Sequence, residues 1–212
     1  MRALTLIHSS RAKSVSDLKQ NNTVIIQNTR AWVQQFIVEL NICPFAKKEV
    51  ERNTIRYFIS SPDDAETQNS QTLVSTTILN DMMDCFTELD QEAGPETTLM
   101  IFPNGFDDFE DYLFLVDTAQ VTLEQMGYLG IYQLATFHPN YIFEGEDAQD
   151  ASNYTNRSPY PMLHIIKESG IERVLKTYKH PEQIPENNIA LMNKLGVDYL
   201  SNLLHSFRQS AK

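Results

Sequence analysis

The sequence lacks several features that would identify a class of function. Its 212 residues include only two cysteines, Cys43 and Cys85, which are far apart and form no Cys-x-x-Cys pair. Neither a disulfide framework nor a structural zinc site is therefore expected. Glycine-rich nucleotide-binding loops, Gly-x-Ser-x-Gly and His-Glu-x-x-His are also missing. The sequence identifies no cofactor and predicts no metal site.

Positive charge and long apolar runs are scarce as well. The 17 Lys and Arg residues are outnumbered by 28 Asp and Glu residues, which gives a net charge of −11. This charge repels a phosphate backbone, so nucleic acid is not an expected partner. No apolar run approaches the roughly 20 residues of a membrane-spanning helix, and the first residues do not resemble a secretion signal. We expect a protein of the reducing cytoplasm without a membrane partner.

The composition is that of a globular protein, with 42% hydrophobic and 21% charged residues. A chain of this length suits one domain. Residues 1–22 are mostly polar and are predicted to be an N-terminal extension, so the domain is predicted to span residues 23–212. The oligomeric state is not predicted.

The spacing of apolar residues predicts alternating strands and helices. The predicted helices before residue 127 are Val24–Leu40, which buries Trp32 and Phe36, Val74–Leu89, which buries Cys85, and Phe109–Met126. The predicted strands are Ile55–Ile59, Leu99–Phe102 and Ile131–Phe137, the second with both faces covered. This β-α-β-α-β order predicts an α/β fold with a small, mainly parallel three-stranded sheet and about five helices. An α+β ferredoxin-like fold is the alternative.

The C-terminal third is predicted to be helical. Ser158-Pro159 combines a capping hydroxyl with a first-turn proline, which predicts a helix from Ser158 to Gly170. Residues 176–188 are polar and predict a surface connection. The apolar stripe from Ile189 to Phe207 predicts a last helix that contains Gly196.

Polar residues follow the third predicted strand, where ligands gather in parallel α/β sheets. His138 comes directly after the strand, and Asn140 lies in the same turn. Modest burial or a nearby carboxylate would move the pKa of such a histidine across neutrality, so His138 is a candidate acid or base.

Asn156, Arg157 and Ser158 form a second candidate group, because an arginine beside the free N–H groups of a helix start suits a phosphate or carboxylate. Arg157 would clamp the anion. The alternative for Arg157 is a salt bridge to an acidic residue of the preceding loop: Glu144, Glu146, Asp147 or Asp150.

The predicted helix places His164 on the same side as Tyr160 and away from its apolar stripe. His164 is therefore a candidate catalytic residue and Tyr160 a candidate ligand contact, although His164 could also be an ordinary surface histidine. Cys43 is a candidate nucleophile near Lys47 and Lys48. The dipole at a helix C-terminus opposes a thiolate there, which counts against this role.

These candidates predict one site around the helix start at Ser158, with His138, Asn156, Arg157 and His164 together and Cys43 at the rim. The first hypothesis is an enzyme that acts on a small anionic metabolite by acid/base or thiol chemistry. The second is a non-catalytic binding or interaction protein, in which the Asn-Arg-Ser-Pro-Tyr-Pro segment only holds a long loop in place.

Four segments carry a resemblance to a known family: NICPFAK, Leu99–Pro103 with the following GFDDF, ATFHPNY, and TNRSPYPMLH. Together they resemble an uncharacterised bacterial family known as a domain of unknown function. The resemblance covers roughly Trp32 to Leu175. It implies that Cys43–Phe45, Phe137–Pro139 and Asn156–Pro161 form one structural or functional unit. It implies no activity and no catalytic residue.

Overall fold

A mixed four-stranded sheet with helices on both faces forms the centre of the protein. The computed structural model describes residues 15–61, 74, 76–176 and 178–209. The strands are β1 (Ile55–Ile59), β2 (Thr97–Ile101), β3 (Tyr132–Phe137) and β4 (Met162–Lys167). The described α-helices are α1 (Val15–Trp32), α2 (Ala46–Arg52), α3 (Thr76–Leu89), α4 (Phe109–Gln125), α5 (Glu168–Leu175), α6 (Ile184–Leu195) and α7 (Val197–Gln209). A π-helical segment, Val33–Val38, continues α1, and Ala151–Thr155 and Pro181–Gln183 are 3₁₀ turns.

The α/β class is confirmed, but the predicted three-stranded parallel sheet is wrong. The strand order is β1-β2-β4-β3, in which β1 and β2 are parallel and β4 is antiparallel to both of its neighbours. Strands β2 and β3 therefore point the same way, with β4 inserted between them. This split β-α-β unit is the part of the ferredoxin-like alternative that the structure contains.

The helix predicted from Ser158 to Gly170 is wrong, because its first part is β4 and only Glu168–Leu175 is helical. Pro161 explains the difference. A proline disfavours helical backbone angles for the preceding residue, here Tyr160, which the predicted helix would have required. The segment from Met162 to Ile166 also contains β-branched Ile165 and Ile166, which favour a strand.

The two faces of the sheet bury separate apolar cores. On the first face, α3 and α4 pack against side chains that include Met100, Phe102 and Ile165. On the second face, α1, the π-helical segment and α7 pack against Leu99, Ile101 and Met162. Every residue of β2 is buried, as predicted for a strand covered on both faces. The burial of Trp32, Phe36 and Cys85 is confirmed.

The first helix begins at Val15, inside the segment predicted to be an extension. Residues 1–14 lie outside the described residues, so the boundary at residue 22 stays a prediction. The helix ends in i→i−5 hydrogen bonds, such as Ile42 N–H to Ile37 O, and Asn41 adopts a left-handed conformation at φ 55°. No helix within the described ranges is long and apolar enough to cross a membrane.

The predicted last helix is two helices, because Gly196 separates α6 from α7 at φ 78° and ψ 154°. Only glycine adopts this conformation without strain. Helix α6 also begins at Ile184, within the predicted surface connection. The connection is therefore shorter than predicted.

We expect Gly196→Ala to lower the free energy of unfolding by roughly 1–3 kcal/mol, because alanine is strained at this backbone conformation. No atom lies within 4 Å of an added Cβ, so the loss would come from the backbone alone. Urea denaturation measures it. Gly170→Ala is the matched control: its Cβ would meet only Glu96 Oε2, at 3.7 Å. Since Gly170 is helical, alanine should leave stability unchanged or raise it by up to about 1 kcal/mol. Equal effects at both positions would contradict the prediction.

Candidate functional site

A cavity of about 800 Å³ lies between the second face of the sheet and helices α2, α5 and α6. Most of its lining is apolar: Trp32, Val33, Ile37, Ile42, Cys43, Phe45, Ala46, Ile55, Leu99, Ala135, Phe137, Phe143, Ile166, Gly170, Ile171, Val174, Ile184, Pro185 and Ile189. The uncharged polar residues are Thr97, Gln133, Ser152, Thr155, Asn156, His164 and Asn188, and the charged ones are Lys48, Glu49, Glu96, Glu146, Lys167 and Arg173. A cavity of this size and composition is typical of small-molecule sites.

The sheet register determines which side chains form the floor of the cavity. His164 lies directly between Leu99 on β2 and Ala135 on β3. Opposed residues in neighbouring strands point to the same face, so all three side chains lie on the second face. The small Ala135 side chain leaves space beside the imidazole. Helix α6, which forms one wall of the cavity, is hydrogen-bonded to the segment before α2: Asn188 Nδ2 donates to Ile42 O at 2.9 Å.

Thr97 orients the His164 ring. Thr97 Oγ1 lies 2.6 Å from His164 Nε2 and donates its only proton to Ile165 O at 2.7 Å. Nε2 must then be the donor to Oγ1, which places the imidazole proton on Nε2 and leaves Nδ1 as an acceptor. Burial among apolar side chains lowers the pKa of His164 to about 4, so the ring is neutral near pH 7.

The indole N–H of Trp32 is a second polar group in the cavity lining. Its side chain is 1% exposed, and the indole N–H has no hydrogen-bond partner among the described residues. Trp32 packs edge-on against Phe137 with ring centroids 5.2 Å apart, and Phe137 lies 6.2 Å from the His164 ring. An aromatic row therefore joins the unpartnered donor to the histidine.

Cys43 lines the cavity as a free thiol, and Cys85 is also free, so they are not bonded to each other. Burial is the main cause that raises the pKa of Cys43, and it outweighs the hydrogen bonds from the N–H groups of Phe45 and Ala46. The thiol therefore stays protonated near pH 7, which does not favour nucleophilic chemistry.

His138 lies on the first face, away from the cavity. Its Nδ1 accepts from Asn140 N–H at 3.0 Å, so Nε2 carries the proton and donates to Phe106 O at 2.8 Å. The ring contacts Phe109 and Tyr112 and is fully buried. Burial lowers the pKa of His138. Both nitrogens are used within the protein, which is typical of a structural histidine.

Arg157 holds the long loop between β3 and β4. Its Nε donates to Tyr141 O at 3.1 Å, its Nη2 donates to Ala148 O at 2.8 Å, and the guanidinium stacks on Tyr154. Neither the predicted anion clamp nor the alternative salt bridge describes these contacts. Arg157 is not among the residues that line the cavity.

The other predicted ligand contacts are also used within the protein. Ser158 Oγ donates to Tyr160 O, and Tyr160 Oη accepts from Asn28 Nδ2 at 2.9 Å. Asn156 Nδ2 donates to Thr136 O at 3.0 Å. The helix start at Ser158 on which the predicted assembly depended is wrong, because residues 158–161 are not helical and β4 follows them. Among the predicted residues, the structure brings Cys43, Asn156 and His164 to the cavity.

Several residues of the cavity were not predicted as functional: Trp32, Lys48, Thr97, Lys167 and Arg173. The strand period of Met162, His164 and Ile166 was the available signal, since alternate residues of a strand share a face. No sequence pattern of this kind identified the charged residues Lys167 and Arg173. Within the described residues, no three His, Cys, Asp or Glu side chains are grouped so that they could hold a metal ion.

Comparison with known families gives a match over most of the chain. Residues 24–202 match a family described as "Protein of unknown function (DUF1415)". The chain belongs to this family. The match extends beyond the resemblance seen in the sequence, since it includes α6 and part of α7. No curated protein and no solved structure matches the chain.

We expect Arg157→Lys to lower the free energy of unfolding by about 1–3 kcal/mol, because lysine cannot donate to two carbonyl groups in a planar fork while stacking on Tyr154. Thermal denaturation measures the loss. Arg52→Lys is the matched control, since Arg52 is exposed on α2. If the two variants have the same melting temperature, the Arg157 contacts do not stabilise the loop.

The stability of wild type relative to His164→Phe is expected to depend on pH. The unfolded chain takes up a proton near pH 6.5, whereas the folded protein does so only near pH 4. Stability from the neutral ring is therefore complete above pH 6.5 and is lost as pH falls towards 4. Relative to His164→Phe, wild type should lose about 2 kcal/mol between pH 7 and pH 4.5. His138 is present in both proteins, so its titration cancels. A constant difference in urea denaturation across this range would show that the folded protein does not keep the His164 ring neutral.

Proposed function

We propose that the protein binds a small molecule with an apolar body and an anionic group, in the cavity between the sheet and helices α2, α5 and α6. The cavity itself is the observation that carries this proposal. Its apolar lining would bury the body of the ligand, at roughly 25 cal/mol for each Å² of apolar surface removed from water. Its few polar groups would set the orientation of the ligand.

The charges of the lining support an anionic group. Three basic residues of the lining form no ion pair with the described residues: Lys48, Lys167 and Arg173. The ion pairs found among the described residues involve Lys47, Arg56 and His180 instead. Lys48 and Arg173 are exposed, which places them at the mouth. The lining has three basic and three acidic residues, whereas the whole chain has a net charge of −11. An anion is therefore repelled less here than elsewhere on the protein.

His164 is the cavity residue best suited to proton transfer. It is neutral near pH 7 and presents Nδ1 as an acceptor, as a general base requires. Cys43 is less suited, because its thiol stays protonated. The proposed function is ligand binding, and the low pKa of His164 makes its ring a weak base near pH 7.

The non-catalytic alternative is supported by one observation. The Asn-Arg-Ser-Pro-Tyr-Pro segment forms contacts within the protein at Asn156, Arg157, Ser158 and Tyr160. This segment holds a loop in place, as the second hypothesis states. It does not exclude a ligand in the cavity, which lies next to this loop.

Trp32 gives a direct test, since it is the only tryptophan of the chain and lines the cavity. We expect straight-chain carboxylates of six to twelve carbons to change tryptophan fluorescence in a saturable way and to raise the melting temperature. Alkylammonium ions of equal length should bind more weakly. Lys167→Gln/Arg173→Gln should weaken octanoate binding about fivefold to tenfold, as expected for two partly screened charges.

The matched control is Lys47→Gln/Arg52→Gln, which removes two exposed positive charges of α2 outside the cavity lining. This variant should bind octanoate as wild type does. The proposal fails if no carboxylate changes fluorescence or melting temperature. The anionic part of the proposal fails if both double variants bind octanoate equally well.

A further inference from the structure

On the second face of the sheet, the cavity lining includes a hydrogen-bond acceptor on His164 and a buried donor on Trp32 for which the described residues provide no partner. The acceptor is His164 Nδ1, because Nε2 carries the ring proton and donates it to Thr97 Oγ1. The donor is the indole N–H of Trp32. Among the described residues, Thr98 is the other buried side chain without a partner, and it lies on the first face of the sheet. His164 Nδ1 and the indole N–H of Trp32 therefore belong to residues of one cavity.

The exposure of His164 supports its role as an acceptor for a ligand. The residue is partly exposed although β4 is an inner strand with hydrogen-bonded neighbours on both sides. Since His164 lines the cavity, the cavity is where this exposed surface lies. The ring cannot turn freely, because rotation would break the short contact between Nε2 and Thr97 Oγ1.

Trp32 and His164 both contact the Phe137 ring. Each ring packs against Phe137, at centroid distances of 5.2 Å and 6.2 Å. A buried donor without an acceptor is costly, because it has given up its hydrogen bond to water. A ligand group that can both accept and donate would satisfy Trp32 and His164 at once.

We infer that the ligand has a neutral hydroxyl or carboxamide group at the end that lies on the sheet, where it donates to His164 Nδ1 and accepts from the indole N–H of Trp32. This inference rests on the proposed function and specifies its ligand class. A carboxylate at this end is disfavoured, because it has no proton to donate to Nδ1. A charged group of either sign would also lose its hydration among apolar side chains.

Pairs of straight-chain acids test the inference: octanoate against 8-hydroxyoctanoate, with the same pair at six, ten and twelve carbons. Binding is measured by isothermal titration calorimetry, so that variants without tryptophan remain measurable. At the chain length that binds best, the hydroxy acid should bind wild type about tenfold more tightly than the plain acid. Normally a terminal hydroxyl weakens binding to an apolar cavity, so this preference requires polar partners.

His164→Phe should reduce the preference for the hydroxy acid over the plain acid to twofold or less. Trp32→Phe should reduce the preference in the same direction, because phenylalanine keeps an aromatic ring and lacks the N–H. His205→Phe is the matched control. His205 is exposed on α7 and outside the cavity lining, so this variant should keep the full preference.

Thr97 is a positioning residue in this arrangement, and its effect has a spectroscopic signature. In long-range ¹H–¹⁵N NMR spectra, the His164 signals, assigned by their loss in His164→Phe, should show a proton on Nε2 and none on Nδ1. Thr97→Val should give a mixture of tautomers. It should also reduce the preference for the hydroxy acid over the plain acid.

The outcomes separate the two proposals. If neither acid of any pair binds, the proposed function and this inference both fail. If both acids bind equally well to wild type, the cavity takes an apolar acid and this inference alone is overturned. A proton on Nδ1 of His164 in wild type would also overturn it.

Discussion

The hydroxyl group of Tyr112 connects the two strands on which the arrangement of the sheet depends. It accepts from the N–H of Phe137 at 3.0 Å and donates to the carbonyl of Met162 at 2.7 Å. Phe137 and Met162 are opposed residues at the end of β3 and the start of β4. Burial raises the pKa of Tyr112, so the hydroxyl keeps the proton that it donates. A one-residue shift of β4 would reverse its faces, and this bridge favours the register that places His164 on the second face.

Much of the fold could be predicted from the sequence, because its first three strands and the helices between them have clear periodicity. The ends of β1 and α3 agree with the prediction within two residues. The fourth strand was missed for a physical reason: Ser158-Pro159 is a strong local signal for a helix start, whereas the effect of Pro161 on Tyr160 opposes it. The helix break at Gly196 was also missed. A single glycine in an apolar stripe does not reveal whether it has a helical or a positive φ.

The candidate site was predicted less well, because the two histidines were assigned to the same place. His138 and His164 lie on opposite faces of the sheet, and that separation follows from the position of β4. The sequence places His138 correctly at a strand end, but it does not show that Phe106 and Asn140 occupy both ring nitrogens. The contact with Phe106 joins residues 32 positions apart, and the contact with Asn140 depends on the turn that follows β3. Conversely, Trp32 was predicted only as a core residue, since its position beside a cavity depends on how α1 meets the sheet.

The inserted strand also has a consequence for the order in which the chain can fold. Among the described strands, β3 has β4 as its only ladder partner, and β4 joins it to β2. A nascent chain that has emerged only as far as residue 161 can pair β1 with β2, but β3 has no neighbour. Long-range contacts of this kind raise the contact order and slow folding, because a long loop must close before any of them forms. During synthesis on the ribosome, the four-stranded sheet can therefore be completed only after β4 has emerged.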